Sequence, residues 1–207
     1  MYKYIKRFLD IVLTLILVII ISPILIIIAI VVEIQMGHPF YFTQIRTTKG
    51  LKEFRLIKFR SMTNAKDKNG ELLPDDQRRT KFGNLLRASS LDELPELYNI
   101  IKGDMSIIGP RPLLPTQNPY YREKELDRFN VRGGLIPPEV MYGKTNPTWD
   151  EQLGWEGEYG RNCSLALDIK ILFSVFKILI KRNKDGFGSV SRSRLAVERA
   201  DMVKKES

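Results

Sequence analysis

Histidine and cysteine are almost missing from this chain: 207 residues hold one of each, His38 and Cys163. A single cysteine excludes an internal disulfide and fits a reducing compartment. With one histidine beside it, a Cys/His zinc site has no ligand set. A serine–histidine triad would have to use His38, next to Pro39 at the end of an apolar stretch. Internal repeats and low-complexity blocks are absent as well. Negative charge is the minority, with 24 Asp and Glu against 33 Lys and Arg, a net charge of +9. Such a surplus fits a polyanion: nucleic acid, an anionic membrane, or a phosphorylated substrate. The basic residues are not interleaved with aromatics as in nucleic-acid modules, so nucleic acid is not the expected partner. The length suits one domain with a real core.

What is present begins with an apolar run from Ile11 to Val32, interrupted only by Thr14, Ser22, Pro23 and Ala29. As a helix it would span about 33 Å, enough to cross a bilayer. It is too long for a cleavable signal, and no small-residue cleavage site follows. Lys3, Lys6 and Arg7 precede it; Arg46, Lys49, Lys52, Arg55, Lys58 and Arg60 follow. Basic residues on both flanks do not select a single inside. A helix that enters, breaks at Ser22–Pro23 and leaves by the same face satisfies both flanks, with serine rescuing a backbone group freed by proline. A kinked single span is the alternative.

Phe40 to Met62 alternates as a β-hairpin around a Lys49–Gly50 turn, its second arm sending Lys58 and Arg60 to one side and Phe59 to the other. Residues 64–77 read as loop. From Thr80 a short helix points Phe82, Leu85 and Leu86 inward and ends near Arg87. Then comes the most informative stretch, Arg87 to Pro112. Asp92 and Glu93 stand two residues before Pro95, and Leu94, Leu97, Tyr98 and Ile101 form one apolar stripe that Lys102 and Gly103 close. With Asp92 as N-cap, Pro95 is tolerated; with Ser90 as the cap it costs a hydrogen bond. Either way the acid pair lies at the positive end of a short helix, where its charges are expected to be held ionised. Gly109-Pro110-Arg111-Pro112 fixes one guanidinium between two prolines. Residues 115–130 read as a partly helical solvent face and 130–155 as a long loop, a feature usually functional in a compact domain. Leu165 to Arg182 carries a narrow polar stripe of Lys170, Ser174, Lys177 and Lys181 against a broad apolar face, which suits a helix in a headgroup layer. A core helix with one wet edge is the other reading. The remainder is basic and is expected to be a mobile tail.

A membrane-sunk element, basic side chains and an acid pair together suit a substrate that is part lipid and part phosphate. Adjacent carboxylates facing a pyrophosphate need a divalent cation, and oxygen ligands favour Mg²⁺. Lys58, Arg60, Arg87 and Arg111 are candidates to neutralise the remaining phosphate charge. A carboxylate can also attack phosphorus and form an acyl phosphate. The expected fold class is α+β: a membrane-inserted re-entrant helix-break-helix, a small β-hairpin and short helices at the membrane interface.

KFRSM at 58–62, SLDELPELYNIIKGDMSIIGPRPLLP at 90–115 and LDIKILF at 167–173 closely resemble the bacterial sugar transferases that act on polyprenyl phosphate, the small monotopic phosphoglycosyl transferases. The resemblance covers nearly the whole chain, the Ser22–Pro23 break included. It implies transfer of a sugar-1-phosphate from a UDP-sugar to undecaprenyl phosphate, with release of UMP. By position, Asp92 resembles the nucleophile and Glu93 its partner in Mg²⁺ or proton handling. Arg87 and Arg111 match phosphate-binding arginines, and Lys58 and Arg60 the basic hairpin motif. It further implies residues 1–36 as re-entrant helix, 37–182 as catalytic domain and 183–207 as tail, at the cytoplasmic face of a bacterial inner membrane. Membrane lipids are partners, and a homodimer is left open. Two departures stand out: Glu96 where the family usually has glutamine, and Arg132 to Pro138 in place of an RPGITG-type segment. The second bears on which sugar is carried more than on the chemistry. The alternative from another class is a non-enzymatic basic membrane-surface protein binding anionic lipid or nucleic acid.

Overall fold

A run of Ile, Leu and Val can hide its backbone from apolar surroundings only by closing its hydrogen bonds within itself, and a helix does so. A computed structural model of the chain describes residues 2–144, 146–182 and 195–200, the side chains of 179–182 excepted. In chain order the elements are α1 (Tyr2–Met36), β1 (Tyr41–Thr47), β2 (Glu53–Phe59), α2 (Asp75–Arg78), α3 (Lys81–Ala88), α4 (Glu96–Lys102), β3 (Met105–Ile108), β4 (Gly133–Ile136), α5 (Trp149–Asn162), α6 (Leu165–Arg182) and α7 (Leu195–Glu198). The expected α+β class and long apolar N-terminal helix are observed. The expected break is not: α1 continues through Pro23 as one helix. Proline offers no N–H to the Ile19 carbonyl, and the Ser22 hydroxyl donates to that oxygen instead, at 2.9 Å. The helix survives its proline because the neighbouring side chain replaces the lost donor. Most large apolar side chains of α1 face outward, Ile19, Ile20 and Ile34 each about 70% exposed or more.

The described residues fall into two compact units. One comprises Leu9–Gln44 and Arg55–Gly103; the other comprises the described residues of Met1–Phe8, Ile45–Phe54 and Asp104–Ser207. β1 and β2 form a two-stranded sheet around the expected turn at Lys49–Leu51.

In the first unit Ile28, Val32 and Met36 of α1 pack with Phe59 and Leu86, and Leu91 and Leu94 close the same cluster. The Thr80 side chain caps α3 by accepting from Gly83 N at 2.9 Å. Leu86 is buried but Leu85, expected inward, is 59% exposed. α4 ends at Gly103 in the left-handed region, φ 102°, as the Lys102–Gly103 pair predicts. Its buried face is Glu96, Leu97, Asn99 and Ile100, while Tyr98 of the expected stripe is exposed.

The second unit departs further from expectation. β3 and β4 pair in parallel, with Met105 opposite Gly133, Ser106 opposite Gly134 and Ile108 opposite Ile136. Gly133 and Gly134, in the segment read as loop, permit this: a Cβ on Gly134 would sit 2.1 Å from Gly109 N, and one on Gly133 2.6 Å from Pro112. α5 also lies within the expected loop. Thr148 and Glu151 form a reciprocal capping box at its start. Gly157 and Gly160 let its backbone approach the 3-10 turns of Glu123–Asn130, where a Cβ would meet Lys124 O at 2.6 Å and Asp127 O at 2.0 Å. That stretch is no solvent face: Glu125, Arg128 and Phe129 are buried. In α6 Ile171 is buried and Phe173 and Phe176 are exposed, while the side chains of Leu179, Ile180 and Lys181 lie outside the described residues. Within the expected mobile tail, Leu195–Glu198 is helical, Leu195 is buried and Arg199 pairs with Glu125 at 2.6 Å. Residues 183–194 and 201–207 of that tail lie outside the described residues.

One carboxylate ties the start of α1 to α6. Asp168 accepts from Lys6 Nζ at 2.6 Å, from Tyr159 OH at 2.5 Å and from Tyr2 OH. Removing it takes the carboxylate from a part-buried ammonium and leaves the buried Tyr159 phenol with the more distant Ile108 carbonyl, at 3.3 Å. Asp168→Ala is expected to lower stability by about 3 kcal/mol, the scale for breaking a buried pair by one partner. Thermal unfolding of the detergent-solubilised protein measures it, with Tyr2→Phe losing far less.

Candidate active site

Asn99 sets the register of the first unit. Its Nδ2 donates to Arg55 O at 2.9 Å and its Oδ1 accepts from Ile57 N at 3.1 Å, so α4 is laced to β2. Lys58, next along β2, reaches Glu93 at 2.6 Å and Glu96 at 3.1 Å. The lysine expected to meet phosphate is thus held by two carboxylates, one of them the nearly buried Glu96. Asn99 escaped the sequence reading because a buried amide on a short helix has no periodic signature.

The acid pair does not cap α4. Leu91–Glu93 is a separate 3-10 turn, Pro95 is the N-cap of α4, and no side chain caps either segment. Ser90 takes the left-handed conformation, φ 59°, immediately before the pair. For a non-glycine residue this costs on the order of 1 kcal/mol, and such strain collects at functional sites. The positive helix end expected beside the pair does not lower the Asp92 carboxyl below its ordinary range. Burial pushes its carboxyl above the ordinary range, the Glu93 charge adds to this, and Lys58, Arg87 and a backbone hydrogen bond oppose it.

Arg87, near the end of α3, donates through Nε to Ser61 Oγ at 2.7 Å and is otherwise exposed. Arg60 is committed elsewhere. Its Nη1 donates to the carbonyls of Met36, Gly37 and His38 at 3.0–3.2 Å, so it caps the C-terminus of α1. The sequence suggested a phosphate contact because a basic residue on a strand looks the same whichever acceptor it finds. Ser22 and Pro23 lie inside α1 as described.

Arg111 belongs to the second unit, an exposed residue on a turn whose backbone is fastened from below. Its N–H donates to Glu156 Oε1 at 3.0 Å and its carbonyl accepts from Arg128 Nη2 at 2.5 Å. Glu156 and Arg128 pair at 2.8 Å with side chains 0% and 1% exposed. Nearby, Glu139 turns its Oε2 out of solvent with no partner. Burial, then the Glu156 charge, push its carboxyl up to about 8 against the pull of Arg111 and Arg128. Sequence reading missed Arg128, Glu139 and Glu156, all mixed into charged or loop-like stretches.

Among the described residues no group of three or more His, Cys, Asp or Glu side chains converges on one point. Asp92 and Glu93 fit Mg²⁺ in donor type, since that ion commonly takes one or two carboxylates and completes its shell with substrate phosphate and water.

Residues 1–182 match the family model described as bacterial sugar transferase. An uncharacterised sugar transferase, EpsL, of Bacillus subtilis is 40% identical over 79% of this chain and 82% of its own length. A UDP-N-acetylgalactosamine-undecaprenyl-phosphate N-acetylgalactosaminephosphotransferase of Aeromonas hydrophila is 32% identical over 91% of this chain. A UDP-glucose:undecaprenyl-phosphate glucose-1-phosphate transferase of Escherichia coli is 35% identical over 87%. The chain spans less than half the length of these two named transferases, 45% and 41%.

The raised Glu139 carboxyl makes stability depend on pH. Its ordinary value is 4.5 and its folded value about 8. Between these limits the folded chain keeps a proton that the unfolded chain has released, so stability falls as pH rises through that window. Glu139→Gln cannot titrate. Its Tm, close to that of the wild type near pH 5, should exceed it increasingly up to pH 8. Parallel Tm profiles would rule out a buried neutral acid at this position.

Proposed function

The chain belongs to the bacterial sugar transferase family, and on that premise we propose that it transfers a sugar-1-phosphate from a UDP-sugar to undecaprenyl phosphate, releasing UMP. The observation that carries the reading is Asp92, a half-buried carboxyl of raised basicity beside Glu93 and within the fields of Lys58 and Arg87. A more basic carboxylate is the better nucleophile once ionised. One Asp92 oxygen attacks the phosphorus that bears the sugar. The bond from that phosphorus to the bridging oxygen breaks, and UMP leaves with the electron pair. An oxygen of the lipid phosphate then attacks the same phosphorus, and the Asp92 carboxylate departs. Glu93, paired with Lys58, keeps a second negative charge beside the first without letting it close on the nucleophile. Arg87 and Arg111 take phosphate oxygens, and bound Mg²⁺ would screen the carboxylates from the diphosphate. Lys58 acts by placing Glu93 and Glu96, and Arg60 by finishing α1.

The same reading has α1 bend at Ser22–Pro23 in the membrane while staying helical, so that it enters and leaves by the cytoplasmic face of the inner membrane. Its outward Ile and Leu side chains and the exposed Phe173 and Phe176 of α6 support contact with lipid. The basic residues on both flanks support return to one side. The family match does not favour a purely lipid-binding or nucleic-acid-binding protein.

Incubation with labelled UDP-sugars and no lipid should leave sugar-phosphate on the peptide containing Asp92 and release UMP. Asp92→Asn should abolish both, a loss of at least about 10³-fold for a removed nucleophile, while Glu96→Gln keeps measurable turnover. Full activity in the Asn variant would remove Asp92 from the mechanism. For topology, Lys3→Cys and Lys49→Cys in a Cys163→Ser background should label from the same side of sealed vesicles. Labelling from opposite sides would establish a span.

A further inference from the structure

The segment Pro110–Arg111–Pro112 has a single N–H among its three residues, since neither proline carries one. Both prolines have fixed φ, and Arg111, preceding one of them, is confined to extended backbone. What freedom remains is rotation of the peptide planes about Arg111. Those planes are gripped from both sides by one buried ion pair. Glu156 Oε1 accepts the Arg111 N–H at 3.0 Å, and Arg128 Nη2 donates to the Arg111 carbonyl at 2.5 Å. Glu156 Oε2 in turn accepts from Arg128 Nε at 2.9 Å, and Gln152 Nε2 donates to Oε1 at 3.1 Å. The Arg128 guanidinium lies 5.1 Å from the Tyr121 ring centroid and donates to the Tyr121 hydroxyl at 3.0 Å. The flanking carbonyls are bound too, Pro110 O by Gly134 N at 2.9 Å and Pro112 O by Arg46 Nη1 at 3.3 Å.

From this we infer that Glu156 and Arg128 are positioning residues, which hold the Arg111 guanidinium ready for a phosphate of the nucleotide donor. A buried ion pair is a poor device for stability alone, because desolvation offsets most of the attraction. A pair that only joined α5 to Glu123–Asn130 would have no need of the Arg111 backbone. Here both members spend a hydrogen bond on it. A backbone fixed in advance reduces the ordering cost of binding. This inference rests on the reading of Arg111 as a phosphate contact, and the experiment separates the two.

The probe is UDP, the part shared by every UDP-sugar, titrated calorimetrically with Mg²⁺ into the full chain in detergent micelles. Arg111→Ala should weaken UDP about tenfold or more, the scale of a lost charge-assisted hydrogen bond. Glu156→Gln and Arg128→Lys should each weaken it several-fold in the wild-type background and add nothing once Arg111 is alanine. Arg199→Met, which breaks the separate pair with Glu125 in the same unit, should lower Tm and leave UDP affinity unchanged. If Glu156→Gln does not fold, the Arg128→Lys cycle decides alone. Additive losses with Arg111→Ala, or an equal loss in Arg199→Met, would overturn the positioning role while the proposed transferase reading stands. An Arg111→Ala variant that binds UDP as the wild type does would remove Arg111 from the substrate contacts, and the positioning role with it.

Discussion

An apolar helix of 35 residues whose large side chains mostly point outward cannot be left to water, and its backbone cannot be left unpaired in lipid. Much of the surrounding structure answers to those two demands. At Pro23, where the helix loses a donor, Ser22 supplies one. Past its C-terminus, where carbonyls run out of partners, the Arg60 guanidinium accepts the task. At its start, Lys6 and Tyr2 converge on Asp168. A residue that looked like part of a phosphate site proves instead to finish a helix, because carbonyl oxygens at a helix end attract a cation as phosphate oxygens do.

Within the first unit the same helix supports the turn that carries the acid pair. Leu91 and Leu94 pack into the cluster built on Ile28, Val32 and Met36, so the carboxylates between them are brought against apolar surroundings. That burial, opposed by Lys58 and Arg87, sets the basicity of Asp92. Glu96 gives Lys58 a second carboxylate and keeps that lysine inside the carboxylate cluster. The second unit uses charge differently. Glu156–Arg128 and Glu125–Arg199 are sunk beneath loops that carry little regular structure, where directional hydrogen bonds can fix backbone that a sheet or helix would otherwise define.

Elements with a strong period were legible in the chain. The hairpin turn, the start of α3 at Thr80, the Lys102–Gly103 stop of α4 and the long α6 all follow from local chemistry that needs no distant partner. β3 and β4 were not, since four-residue strands have no room for a pattern and Gly133–Gly134 imitates a loop. α5 hid behind Gly154, Gly157 and Gly160, although the Thr148–Glu151 capping box announced its start. Gly157 and Gly160 serve close approach to backbone, a need that only the neighbour reveals. Of the site, the acid pair and its lysine and arginines were legible as residues, but not which of them paired with which.

Sequence by itself determined the apolar helix, the hairpin, the acid pair before a short helix, the proline-flanked arginine and the family resemblance, because each depends on residues close together in the chain. Tertiary structure decided the rest: that Arg60 caps α1, that Lys58 is shared by Glu93 and Glu96, and that Glu156 and Arg128 grip the backbone of Arg111. The physical reason is that a charged side chain is chemically the same wherever it stands, and its role is set by the partner that burial forces on it.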